Sequence, residues 1–297
     1  MAGCNLKKHI LSTDIITVGY LLITTLLILI FDGLSFQLSS PMFFRLIAIL
    51  VIISIVYLNS RFKNRWVDFL HLFYPIILLT YFYGETAWLS EIIFNGSYDA
   101  MVKGWDDALF GFQPSVEFSR SFFAKWFSEL LNFGYFSYYI LTFGVSLMFF
   151  VLKPALAEKT VFIIISSFYL YYLIFIAFPV QGPQYYFSSA LSQTVDSGIF
   201  SRAVGLVQYY GEHPTGAFPS SHVGMVVIFL TLSFRKINWL FFSIIPLFIL
   251  ILFATVYIKA HYAIDVFAGL ISAPVVYFVS LKLFEILEVR RRKFKVN

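Results

Sequence analysis

Gly216-Ala217-Phe218-Pro219-Ser220-Ser221-His222 marks the point where a long polar loop gives way to an apolar run. A proline and two serines ahead of such a run predict a helix start. Proline suits the first turn, where its missing N–H would be unpaired anyway, and serine caps exposed amides. The run behind it, over 221–234, is short for a membrane crossing. Outward in both directions lie further apolar runs at 13–31, 42–58, 66–83, 128–152, 160–178, 238–258 and 262–284. Their lengths suit helices crossing a ~30 Å hydrocarbon core. Composition agrees, with 60% apolar and 12% charged residues, where a soluble domain carries roughly a quarter charged. The expected fold is therefore all-α: a polytopic membrane helical bundle of about eight transmembrane helices.

Charge fixes an expected orientation. With eight spans, fifteen of the 21 lysines and arginines fall on one face. Arg45, Lys103, Arg120, Lys125, Arg202 and Lys259 fall on the other. The positive-inside rule then puts both termini in the cytoplasm. The net charge of +5 is explained by topology, and a nucleic-acid partner is not expected. The single cysteine, Cys4, excludes an intrachain disulfide and a thiolate metal cluster. The expected organisation is two amino-terminal spans with a basic loop (1–65), six further spans (66–285) and a basic cytoplasmic tail (286–297).

Two segments break the spans on the external side. Residues 84–127 mix charges with Trp105, Phe110, Phe112, Phe122, Phe123 and Trp126. That pattern predicts short helices at the headgroup level. After Phe178-Pro179-Val180-Gln181-Gly182-Pro183, a loop of about forty residues leads to Ser220; loops so long are usually functional or disordered. Its tyrosines argue against disorder.

Five histidines are present. His9 reads as solvated and His213 as a surface residue. His71, one turn from Asp68, reads as a structural polar contact. His222 opens the sixth span. His261-Tyr262-Ala263-Ile264-Asp265 opens the eighth, with His261 and Asp265 four apart and so on one helix face. In the eight-span topology both clusters reach the external surface, beside the Gly182-Pro183 turn. Together they offer the parts of a phosphoryl transfer. His261 can attack, Asp265 can orient it, and His222 can protonate the leaving oxygen. Ser220, Ser221 and nearby amides can hold phosphoryl oxygens at the positive end of a helix dipole, and Gly182, Pro183, Gln184, Tyr185 and Lys259 are expected to complete the substrate site. No metal and no cofactor are called for.

At these residues the chain resembles the type 2 phosphatidic acid phosphatase superfamily, which also includes vanadium haloperoxidases. That pattern has a basic motif, a Pro-Ser-Gly-His motif, and a Ser-Arg motif followed by His and, four later, Asp. The likeness covers roughly 66–284 and implies a six-helix core. It implies that His261 is a nucleophile forming a phosphohistidine, Asp265 its partner, His222 the acid and later the base, and Ser220 a phosphate ligand. The chain departs from the pattern at Ser221, where glycine is usual. It departs at Ala254-Thr255, in place of Ser-Arg, and at Gly182-Pro183-Gln184-Tyr185, in place of the basic motif. It is more similar there to the branch that includes inositol phosphorylceramide synthases. Ala217-Phe218-Pro219-Ser220, His261-Tyr262, Asp106-Asp107-Ala108-Leu109-Phe110-Gly111 and Gln113-Pro114 carry that likeness.

The missing cations suit a singly charged diester better than a nearly doubly charged monoester, since desolvated charges need partners. Lys259 or Arg202 could supply one. The expected activity is transfer of a phospho-headgroup from a membrane phospholipid donor to a lipid alcohol such as ceramide, on the extracytoplasmic face. One alternative is a lipid phosphate phosphatase, with water as acceptor and phosphatidic acid or a polyprenyl phosphate as substrate. The other is a non-enzymatic lipid-binding or transporter-like protein.

Overall fold

The computed structural model describes residues 9–31, 40–62, 64–187 and 198–296. Cys4, Lys7, Lys8 and Lys63, and residues 188–197 of the long loop, lie outside the described residues. Among the described residues there are twelve helices and no strand. Seven are long and apolar enough to cross a membrane. They are α1 (Ser12–Phe31), α2 (Ser40–Arg61), α3 (Arg65–Ile93), α6 (Lys125–Leu152), α7 (Pro154–Ala177), α11 (Asn238–Tyr257) and α12 (Ala263–Val296). The protein is an integral, multi-pass membrane protein of all-α fold. The eighth expected span is α10 (Ser221–Ser233), an apolar helix of thirteen residues. At 1.5 Å per residue it covers only ~20 Å, the short run that the sequence shows at 221–234.

The third span also differs. Its hydropathy ends near residue 83, yet α3 runs on to Ile93. Glu85, Thr86 and Ser90 are buried there. Hydropathy reports where lipid ends, whereas a helix continues when its polar side chains are enclosed by protein. The rest of residues 84–127 forms α4 (Asp99–Phe110) and α5 (Pro114–Ser121), and the long loop holds α8 (Pro183–Tyr186) and α9 (Ile199–Gly211).

The chain forms two compact units. One comprises the stretch up to Leu79 with Ser146–Tyr169 and the chain from Phe278 onward. Its core is organised by buried polar groups. Asp14 accepts hydrogen bonds from Tyr74 Oη at 2.8 Å and from the Leu11 amide at 2.7 Å. His71 Nε2 lies 2.9 Å from the same carboxylate. The expected neighbour of His71, Asp68, instead accepts from Asn59 at 2.8 Å. Arg45, only 2% exposed, donates to Thr24 and Thr25 of α1, each at 3.0 Å. An arginine within a span needs such partners.

The other unit comprises Thr80–Val145 and Leu170–Tyr277. Here two carboxylates from α4 tie distant loops together. Asp99, Val102 and Asp106 form its buried face, at the i, i+3, i+7 spacing of one helix side. Asp99 accepts from the Gln181 and Gly182 amides at 2.8 and 2.9 Å and from Tyr262 Oη at 3.1 Å. Asp106 accepts from the Ala263 and Ile264 amides, both at 2.9 Å, and so caps α12. Gly269 of α12 lets that helix meet the start of α10, because a Cβ there would sit 2.5 Å from the Ser220 carbonyl oxygen.

Candidate active site

The start of α10 is built by its own sequence. Ser220 is the N-cap, and its hydroxyl accepts from the Val223 amide at 3.4 Å. Pro219 stands one residue before the cap, outside the first turn where it was expected. The Ser220 amide donates to the Asp265 carbonyl at 3.0 Å, which joins the two polar clusters through the backbone. Ser220 is fully buried, so its side chain closes the helix end. The Ser221 side chain interacts with Tyr138.

His222 and His261 meet directly, with Nδ1 of the first 3.1 Å from Nε2 of the second. Nδ1 of His261 lies 2.7 Å from the Ala217 carbonyl oxygen. A carbonyl only accepts, so that nitrogen carries the proton. In the neutral ring Nε2 is then a lone pair, and His222 Nδ1–H is its donor. Tyr135 stacks on the His222 ring at 4.8 Å between centroids, and Tyr138 lies at 4.2 Å. Nε2 of His222 is buried without a hydrogen-bond partner among the described residues.

Asp265 takes a different place from the one its spacing predicts. His261 precedes α12 in a turn, so the two side chains do not share a helix face. The Asp265 carboxylate accepts from the Tyr262 amide at 2.8 Å, a reciprocal cap. It stands 3.6 Å from His261 Nδ1, beyond a good hydrogen bond. Its other oxygen has no partner among the described residues. The imidazole is thus oriented by the Ala217 carbonyl, with the carboxylate behind it. Burial pushes the His261 imidazole down to about 4; the Ala217 carbonyl and the nearby Glu212 act in the opposite direction without offsetting it.

The turn at 180–184 is stitched to both clusters. The Ala217 amide donates to the Val180 carbonyl, and the Gln184 amide to the Lys259 carbonyl, each at 3.0 Å. Gly182 adopts φ +100°, and a Cβ there would lie 2.8 Å from the Ala260 carbonyl oxygen. Gly182 and Pro183 are buried and act through the backbone. Tyr185 is 38% exposed. Burial, and then Glu212, raises its hydroxyl to about 12. Lys259 is buried in a left-handed turn at φ 67°, and its amine is held below its ordinary range by burial and by Arg120. Burial raises the Asp106 carboxyl, against the two α12 amides that favour its anion.

Among the expected residues, His222, His261, Asp265, Ser220, Ser221 and the 182–185 turn are brought together. Arg202 is exposed, as is His213. Sequence reasoning missed Glu212. It accepts from Gln184 Nε2 at 2.7 Å, from Tyr139 Oη at 3.4 Å, and through a shorter bond from Tyr135 Oη. Gln184 in turn accepts from Gln208 Nε2 at 2.8 Å. One signal was present: Glu212 is the only Asp, Glu, Lys or Arg between Ala203 and Phe234. Among the described residues no three His, Cys, Asp or Glu side chains converge as metal ligands would.

A family model described as the PAP2 superfamily matches residues 106–279, more than half of the chain. The match begins at the aspartate that caps α12 and takes in both histidines. Neither the curated proteins nor the solved structures gave a significant match. The chain belongs to the PAP2 superfamily, whose activity is of the lipid phosphatase and phosphotransferase type.

Proposed function

We propose that the protein transfers a phospho-headgroup from a phosphodiester lipid to a lipid alcohol through a phosphohistidine on His261. The observation that carries this reading is the imidazole pair. One ring is pinned by a carbonyl so that its Nε2 lone pair faces the second ring's N–H at 3.1 Å. The first step forms a bond from His261 Nε2 to phosphorus and breaks the bond from phosphorus to the departing lipid oxygen. That oxygen takes a proton from His222, whose ring is cationic once the anionic substrate is bound and returns to the neutral form. In the second step the acceptor hydroxyl gives its proton to His222, its oxygen bonds phosphorus, and the P–N bond breaks. Phosphorus must enter between the two rings, so their direct contact opens on binding. The ring of His261 is cationic while it carries phosphorus, and Asp265 at 3.6 Å supplies the countercharge.

Three features of the site and one sequence likeness support this reading over a phosphomonoesterase. The positions of the usual basic motif hold Gly182-Pro183-Gln184-Tyr185, the Ser-Arg of the third motif is Ala254-Thr255, and the site contains the Glu212 carboxylate. Lys259 is the cation built into the loop before His261. The likeness to inositol phosphorylceramide synthases at Asp106–Gly111 and Ala217–Ser220 points the same way. The basic-residue asymmetry supports an extracytoplasmic site with cytoplasmic termini. Lipid mass spectrometry of membranes with and without the protein tests the reading, since it names donor and product together. A diester donor lost in step with a new headgroup-bearing lipid is expected. Rapid release of inorganic phosphate from phosphatidic acid, with no diester turnover, would sink it.

A further inference from the structure

Glu212 is out of place in a site that must receive an anion. Every hydrogen bond it makes among the described residues comes from a neutral group: Tyr135, Tyr139 and Gln184. Among the described residues no basic side chain pairs with it. It is nevertheless firmly held, because Gln184 is itself fixed by Gln208 and by the bond from its amide to the Lys259 carbonyl. Tyr135, its closest donor, is the ring stacked on His222. The carboxylate is near enough to act electrostatically on His261 and on Tyr185. A fixed negative charge beside the nucleophile costs a bound dianion about twice what it costs a monoanion.

We propose that Glu212 is the specificity-determining residue of this site: a fixed charge that disfavours phosphomonoester dianions and leaves singly charged phosphodiesters as substrates. The inference rests on the transferase reading above. It adds repulsion to the lack of attraction already implied by the missing basic motifs, since selectivity is a difference between affinities. The tyrosine and glutamine donors keep the carboxylate in place and leave its charge uncompensated.

The test compares kcat/KM for a phosphatidic acid and for a phosphodiester lipid in wild type, Glu212→Gln, Glu212→Asp and His261→Ala proteins. Glu212→Gln keeps the size and an acceptor for Tyr135 while removing the charge. The monoester-to-diester ratio should rise roughly tenfold in Glu212→Gln, the scale of one unit-charge repulsion in partly buried surroundings. It should stay low in Glu212→Asp, which retains the charge. A gain of monoester turnover is not something a damaged fold produces. A second readout needs no variant. A soluble monoester should inhibit the wild type better at pH 5 than at pH 8, because its second ionisation lies near ~6; its methyl diester controls for titration of the protein. A flat ratio in Glu212→Gln, or an equal shift in Glu212→Asp, with diester turnover intact overturns the charge filter alone. So does an inhibitor whose strength follows that of the diester across pH. A wild type that prefers monoesters overturns the filter and the diester reading together. Diester turnover that survives in His261→Ala overturns the phosphohistidine reading on which both rest.

Discussion

Each unit buries a histidine beside an aspartate, and the two pairs are built in opposite ways. In the first unit His71 touches Asp14 directly at 2.9 Å, and Tyr74 and the Leu11 amide complete the carboxylate's partners. In the second, Asp265 stands back at 3.6 Å, a neutral carbonyl holds His261, and a second imidazole occupies its other nitrogen. A buried carboxylate in direct contact spends its charge on holding one ring still. A carboxylate set back leaves the ring held by a dipole, so that its far nitrogen keeps its lone pair and the charge acts when the ring becomes cationic. The contrast shows that a His–Asp pair in a membrane bundle is not itself a mark of catalysis. The second imidazole is what separates the two.

Substitutions can break this contrast, starting where the effect is largest. His261→Ala should lower lipid conversion by ~10³-fold or more, since it removes the nucleophile itself. Conversion assays on matched amounts of protein check it. Asp265→Asn retains the shape and removes the charge, and it should cost ~10²-fold if the set-back carboxylate serves the phosphorylated ring. Asp106→Asn weakens the cap on α12 that positions His261. A smaller loss of roughly tenfold in kcat is expected, with α12 still helical by circular dichroism. His71→Ala should leave turnover per folded molecule intact while lowering stability by about 2 kcal/mol, read as an earlier thermal unfolding, because it removes one of the three partners of a buried carboxylate. Turnover lost in His71→Ala beyond the loss of folded protein would erase the distinction between the two pairs.

The pH profile sharpens it. His261 attacks as a neutral ring, and its pKa of about 4 keeps it neutral through the physiological range. With a diester substrate, kcat/KM should hold from pH 7 down to about 5 and fall only as pH approaches 4. A fall centred between 6 and 7 would mean an ordinary solvated histidine. Stability follows the same sign. The folded pKa lies below the unfolded value of ~6.5, so this contribution is complete above ~6.5 and is lost as pH falls towards 4. His261→Gln should flatten that part of the curve.

Much of this was legible in the sequence, and the gaps have physical causes. Apolar runs located the membrane helices because the bilayer imposes length and composition. They misjudged α3, whose last turns are polar and enclosed. His222 and His261 could be paired because topology alone placed them on one side. The Ala217 carbonyl was invisible, since every residue carries one. Asp99 and Asp106 were hidden by distance: Asp106 caps amides 157 and 158 residues away. Asp14 eluded the reading of His71 for the same reason, because its own helix offered Asp68 one turn away. Glu212 did leave a trace, as a lone charge in an uncharged stretch, but only its hydrogen bonds show that it is held by the tyrosine stacked on His222.

The most direct measurement is to quench the protein in alkali during turnover of a phosphodiester lipid, digest it, and weigh the peptide that contains His261. A phosphorus-linked adduct on His261 that still carries the donor's headgroup is the predicted result, and it should be absent from His261→Gln. Ongoing lipid conversion with an unmodified His261 peptide, or with the adduct on another residue, would contradict the account.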